Sequence, residues 1–419
     1  MKRIYYLLGI IGTIAVVVGV FYFLHYRSGG NAPTGTTGGT AQTGTLPSAP
    51  AQSNQPATAG TQTPSLPGTS GVQGGEAPRF GLVAQNPVLN YFVNSQNEAV
   101  LVQPDGQIAK VTTGGPSILS SSAIANLISA EFSYDGAEIL ATFGGLFAPQ
   151  GSIFDITGKS WQPLSLGVKS IAWSPDSYQI VYLNNKSGAK FLTTIDTANP
   201  KAKPVELITL HIEDTGLSWP AKNKIMLSDA PSSLFRGSIW SFDAKQKTLT
   251  PIIEEAAGLE SIWSSGADMG LVFYAGVGGN GGRLSLVNAQ GSLINSISFL
   301  TLPSKCAFDT RTQNQTSPTS TVKTAVTSSA MSSAPARYLY CAIPRDGAKL
   351  RTATMPDDYN KKKFFTSDNF YKINLADGNL AQVFSDPSRS LDATNLKIFG
   401  DYLFFVNRYD QRLYWISLK

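Results

Sequence analysis

The sequence predicts an all-β fold, a seven-bladed β-propeller, behind an N-terminal transmembrane helix and a disordered linker. Three observations predict it. An aromatic–turn–hairpin unit recurs every 40–50 residues or so, residues 79–419 have strand-and-turn composition, and an unbroken apolar run followed by a low-complexity stretch precedes them. Rings of six or eight blades are the alternatives.

The N-terminal segment, residues 1–27, opens with Lys2 and Arg3 and runs apolar from Ile4 to Leu24 before closing on His25, Tyr26 and Arg27. About 20 apolar residues at ~1.5 Å rise cross a hydrocarbon core of about 30 Å. Tyr5, Tyr6, Tyr22 and Tyr26 stand near the two ends, where amphipathic rings favour the interface. A cleaved signal peptide has a shorter apolar region and a small-residue cleavage site, and this run ends instead in bulky FYFLHYR. The reading is an uncleaved single-pass anchor through residues 4–24. The basic residues at its start place the N-terminus in the cytoplasm and the rest outside, in the periplasm or the extracellular space.

Residues 28–78 are Gly, Thr, Ala, Pro, Gln and Ser almost throughout, with no charge before Glu76. Such a composition buries too little apolar surface to offset its ordering entropy, so a flexible tether is expected. Its 51 residues reach on the order of 40 Å as a random coil.

The repeat occupies residues 79–419. IAWSPDSYQIVYL at 171–183 has counterparts in ISAEFSYDGAEILATF (128–143), LSWPAKNKIMLSD (217–229) and IWSSGADMGLVFY (262–274). Weaker copies are KCAFD (305–309), resuming as RYLYCAI (337–343), and LKIFGDYLFFV (396–406). The anchoring aromatics Phe132, Trp173, Trp219, Trp263, Phe308 and Phe399 are 41, 46, 44, 45 and 91 residues apart. Removing two insertions, 311–335 and 347–365, brings the last gap to 47. Each unit continues into a third and a fourth strand, and residues 87–112 supply one further set, giving seven modules. Four short strands per unit are the signature of a propeller blade, whereas a string of immunoglobulin-like sandwiches would need roughly 100 residues per domain. The last module ends with three strands, so Arg79–Ala84 is expected to add the missing outer one and close the ring. In the turn Ser174-Pro175-Asp176, Pro presets φ and Asp can accept backbone amides, while Gly136 supplies a positive φ after Asp135.

Cys306 and Cys341 fall on neighbouring antiparallel strands of one module and are expected to form a disulfide outside the cytoplasm. With no histidine nearby, a metal site there is not expected.

FSYDGAEI and WSPDSYQIVY resemble the first hairpin of TolB-like propellers, relatives of the WD-repeat blade, and TTIDTANP and YKINLADGN are similar to the end of that pattern's third strand. The resemblance spans 79–419 but is specific in two modules. Ser177 stands where Gly is usual, and WPAKN and WSSGAD keep only the aromatic. It implies an extracytoplasmic ring that presents protein-binding surfaces, and fold alone does not fix chemistry.

Catalysis has few candidates in the sequence. The chain has two histidines, His25 and His211, so a Ser-His-acid triad would need His211. The G-x-S-x-G elbow of prolyl-oligopeptidase-type hydrolases is absent, and GVGGNGGR at 276–283 joins two strands rather than opening a helix. Asp135, Asp176 and Asp309 recur at turns, which accounts for their spacing; carboxylates in the central channel would be the route to a hydrolase or lactonase activity. The expectation is therefore a non-catalytic platform without a cofactor. It binds an unknown protein or peptide partner through its irregular loops, with Lys361, Lys362, Lys363, Phe364 and Phe365 as the candidate contact. The formal charge of +5 falls to +2 once Lys2, Arg3 and Arg27 are set aside, which excludes a nucleic-acid footprint.

Overall fold

The computed structural model describes residues 64–67, 78–145, 148–167, 170–186, 188–199, 201–212, 215–309, 311 and 337–419. The expected membrane span at 4–24 lies outside the described residues, as do most of the expected tether and residues 312–335 of the first insertion. Among the described residues no helix is long and apolar enough to cross a membrane.

The described strands form seven antiparallel sheets of four, so the count of seven holds. Blades 1 to 6 span 90–120, 127–167, 171–210, 215–257, 260–297 and 306–384, each with its strands in sequence order. Blade 7 takes three strands from 393–417, and its outer strand is Phe80–Leu82, paired antiparallel with Leu413–Ser417. The ring is closed by joining the two ends of the domain, as the unmatched last module requires. The first strands of successive sheets approach one another across blades and form the inner wall.

Burial explains why the second strands read as continuous apolar runs. The buried side chains separate into seven clusters, each lying between two adjacent blades. In blade 3, Ile180 packs towards blade 2 and Val181 towards blade 4. In blade 5, Leu271 and Val272 divide in the same way between blades 6 and 4. Neighbours in sequence point to opposite faces of a strand, so a sheet covered on both faces selects apolar residues at every position.

The hairpin turns hold one surprise. A serine directly after the inner strand, Ser133, Ser174 or Ser264, is buried, and its amide caps the following strand. The hydroxyl of Ser133 bonds Asp135 at 2.9 Å and that of Ser174 bonds Asp176 at 2.9 Å. Asp135 also accepts the Ala137 amide, as expected, but the contact described for Asp176 within the turn is this hydroxyl. Gly136 has φ +74°, and a Cβ there would strike the Phe92 ring of blade 1.

Two details differ from the sequence reading. Part of the stretch assigned to the tether is docked: the Ser65 amide donates to the Leu82 carbonyl at 2.7 Å, Trp415 donates to the Ser65 carbonyl at 2.9 Å, and Leu66 is buried against Val83, Val88 and Tyr91. Leu66 is a lone apolar residue in a polar stretch, too weak a pattern to announce a packing site. The second insertion is not irregular either, since it contains two short helices, Ala348–Thr352 and Asp357–Asn360.

Cys306 and Cys341 stand opposite each other in register on the first and second strands of blade 6 and are disulfide-bonded, with Cα atoms 4.1 Å apart. Closing a chain separation of 35 residues removes unfolded-state entropy worth about 4 kcal/mol. The double variant Cys306→Ser/Cys341→Ser should lose about that much stability, read as a lower urea midpoint for the variant relative to the oxidised full chain.

Candidate functional site

Two polar clusters interrupt the apolar interfaces, and both are built around a lysine. The first lies between blades 6 and 7. Lys305, in the single turn Pro303–Lys305 that leads into the inner strand of blade 6, is completely buried. Its Nζ lies 2.6 Å from Asp392 and 2.7 Å from Asp368, with Tyr359 and Thr366 each at 3.1 Å. Arg408 donates to Asp392 at 2.9 Å and to the Tyr359 carbonyl at 2.7 Å, and its guanidinium stacks over the Tyr359 ring. Two cations face two anions, so the buried set is neutral. Burial works to discharge Lys305, but Asp368, Tyr359 and Asp392 together outweigh it and hold the ammonium charged. Burial pushes Asp368 up against its pairing with Lys305, whereas Asp392, which also receives Arg408, is held below the usual carboxylate range.

This cluster seats the second insertion. Tyr359 comes from the insertion itself, Thr366 from directly after it, Asp368 from the strand that follows, and Asp392 and Arg408 from blade 7. Further along, Asp357 accepts both the amide and the hydroxyl of Ser233 from blade 4 at 2.7 Å. The Met355 amide donates to Gly279 of blade 5, and the Ala353 carbonyl accepts from Gly281. The insertion thus lies across the loops of blades 4, 5 and 7.

The candidate contact Lys361–Phe365 sits at its end. Phe364 packs edge-on against Tyr359, and Phe365 stacks on Tyr409 with Arg408 alongside. The two rings are therefore part of the packing. Lys361 and Lys363 are exposed and pair with Asp357 and Asp358, and Lys362 is exposed.

The second cluster is formed by inner strands of blades 7, 1 and 2. Lys397, on the inner strand of blade 7 (Ala393–Phe399), donates to Asn90 Oδ1 at 2.7 Å and to the Tyr91 carbonyl at 3.0 Å. Asn90 in turn donates to the Ala130 carbonyl and, at 3.3 Å, to Glu131 on the inner strand of blade 2 (Leu127–Phe132). Glu131 keeps solvent contact although protein surrounds it, the environment of a group lining an internal channel. Burial lowers Lys397 from 10.5 to about 8, opposed by the charge of Glu131. Burial likewise raises Glu131, opposed by Lys397 and Asn90. Two bonds to neutral oxygens leave one N–H of the ammonium without an acceptor among the described residues. The ammonium also lies 4.9 Å from the Tyr91 ring and 6.0 Å from the Phe132 ring, so it is compensated by neutral oxygens and ring faces rather than by a paired carboxylate.

Sequence reasoning missed both clusters. His211 is exposed beyond the outer strand of blade 3, Asp135 and Asp176 are engaged in turns, and Asp309 is held by Arg311 at 2.7 Å. Among the described residues no group of three or more His, Cys, Asp or Glu is placed to hold a metal ion.

No protein-family model matches the chain, and no curated protein matches it. Solved structures match in fold. An oligogalacturonate lyase in complex with manganese aligns with TM-score 0.50 and 9% identity over 80% of this chain and 90% of that one. Prolyl endopeptidases align with TM-score 0.50 and 12% identity over 80% of this chain and 49% of theirs. TolB from Acinetobacter baumannii aligns with TM-score 0.37 and 17% identity over 50% of this chain and 54% of that one, so the chain spans about half of TolB and of the endopeptidases. The comparisons correct the expectation of a non-catalytic ring. Propellers with this fold are carried by a lyase and by peptidases, so a scarcity of histidines gives no ground for excluding catalysis.

Two outcomes test the clusters. Lys305→Ala leaves Asp368 buried without a cation and Asp392 with Arg408 alone, and should cost about 3–5 kcal/mol, read by denaturant unfolding, with faster proteolysis inside 347–365. For Lys397, an unfolded lysine holds its proton to about 10.5 and the folded one to about 8. Between those values the unfolded chain binds more protons, so stability rises with pH. The melting temperature of the wild type should therefore gain on that of Lys397→Met from pH 8 upward.

Proposed function

We propose that the protein is a membrane-tethered, extracytoplasmic propeller that captures a protein or peptide partner by an anionic group, a carboxylate, at Lys397 on its inner strands. The observation that carries this reading is the partly desolvated ammonium with an unused N–H. A bound carboxylate supplies the missing acceptor and a full counter-charge, and charge-assisted hydrogen bonds of this kind are about twice as strong as neutral ones. The apolar run at 4–24 and the tether composition support the membrane placement, and the Cys306–Cys341 bond suits an oxidising compartment.

A second reading rests on Glu131. Burial moves Glu131 up and Lys397 down, so the two groups are drawn towards each other in proton affinity, the direction an acid–base pair requires. On that reading the captured ligand is a substrate and Glu131 exchanges a proton with it.

The test uses peptides with a free C-terminal carboxylate and the same peptides amidated, presented to the full chain in detergent. Retention of the free acids by the wild type, with a loss of tenfold or so on amidation, in Lys397→Met and above pH 8, supports the reading. Equal retention of amidated peptides, or an unchanged Lys397→Met, overturns it. Chemical change in a retained peptide that is lost in Glu131→Gln selects the second reading over simple capture.

A further inference from the structure

The face carrying the loops between second and third strands, here the upper face, has an uneven apolar surface. Leu234 and Phe235 in blade 4 and Val277 in blade 5 are 76, 74 and 102% exposed, the highest values for large apolar side chains among the described residues. All three belong to upper-face loops. They are neighbours, since Ser233 and Gly279 are in contact and the insertion bonds to both.

Basic side chains surround them. Arg236 follows Phe235 directly and is exposed. The insertion, 347–365, holds five basic residues against two acidic ones. Lys349, Arg351, Lys361, Lys362 and Lys363 are exposed, while Asp357 and Asp358 are occupied by Ser233, Thr354 and their own lysines. The Arg351 carbonyl lies against Gly281, which places the first helix of the insertion beside the Val277 loop.

The chain enters the ring on this same face. Leu82 pairs with Tyr414 at the start of the third strand of blade 7, so the Leu82 end of the closing strand is the upper end. Ser65 is bonded to the Leu82 carbonyl. On the tethered reading proposed above, on which this inference rests, the 39 residues from His25 to Thr63 reach about 35 Å.

The geometry points to the upper face of blades 4 to 6 as a docking surface for an anionic lipid bilayer, with Leu234, Phe235 and Val277 entering the interface and the basic residues of the insertion meeting the headgroups. Exposed Leu and Phe flanked by Lys and Arg are the composition of interfacial binding. Basic residues near an anionic surface are drawn to it by an attraction that salt attenuates. The insertion is the device that brings these charges over blades 4 and 5, and the Lys305 cluster holds it there.

The full chain is reconstituted into phosphatidylcholine vesicles and into vesicles that also contain phosphatidylglycerol, and hydroxyl-radical labelling of side chains is read by mass spectrometry. Labelling of Leu234, Phe235 and Val277 should fall several-fold on the phosphatidylglycerol vesicles, with Ile118 and Leu293 on outer strands unchanged. Lys361→Gln/Lys362→Gln/Lys363→Gln should remove most of that dependence on anionic lipid, and Leu234→Ser/Phe235→Ser should restore labelling of Val277. Equal labelling on both vesicles overturns the proposal. So does protection in detergent that grows with protein concentration, which would show a second copy covering the patch. An alkaline carbonate wash tests the anchor separately. A chain released by the wash but still protected on phosphatidylglycerol vesicles sinks the tether and keeps the docking face.

Discussion

A four-stranded sheet with apolar residues on both faces cannot rest against a single neighbour, and this constraint shapes the rest of the structure. Seven such sheets satisfy one another only when each lies between two others, which requires a closed circle. The seven apolar clusters, one per junction, are the direct record of that arrangement. The closing strand Phe80–Leu82 completes blade 7, covers an edge that would otherwise offer unpaired backbone groups, and stacks Phe80 on Phe384 and Tyr414.

Within that frame, two lysines show how neighbours decide the fate of a buried charge. Lys305 is fully enclosed and remains charged because two carboxylates share its ammonium and Arg408 balances the second. Lys397 has an amide oxygen and a peptide carbonyl instead, and its charge is weakened accordingly. The first arrangement spends its hydrogen-bonding capacity on holding the insertion. The second keeps some in reserve, and unspent polar capacity near the axis of a rigid ring is where binding is to be sought.

Much of the fold could be read from the chain because its determinants are local. The aromatic at the end of each inner strand, the turn after it and the unbroken apolar second strand lie within about a dozen residues, so they recur as a visible pattern. The closing strand followed from counting strands, and the disulfide from placing Cys306 and Cys341 on adjacent strands. The polar clusters were not legible. Lys305 meets its partners at separations of 54 to 87 residues, and Lys397 meets Asn90 across 307. The weak repeat copy KCAFD hid Lys305 inside what read as an ordinary strand entry. Phe364 and Phe365 looked like contact residues after three lysines, yet Tyr359 and Tyr409 already occupy them. The insertion that carries them resembled a ragged loop because its order comes from distant blades.

The closing strand also has a consequence in time. Leu82 pairs with Tyr414, so the first strand made is the last to find its mate. At roughly 5–20 residues per second, a ribosome needs tens of seconds to cover that interval. Throughout it, the strand Phe80–Leu82 lacks the partner strand Leu413–Ser417 and the nascent arc stays open at both ends. Protection of this waiting edge during synthesis is a demand that the finished ring no longer reveals.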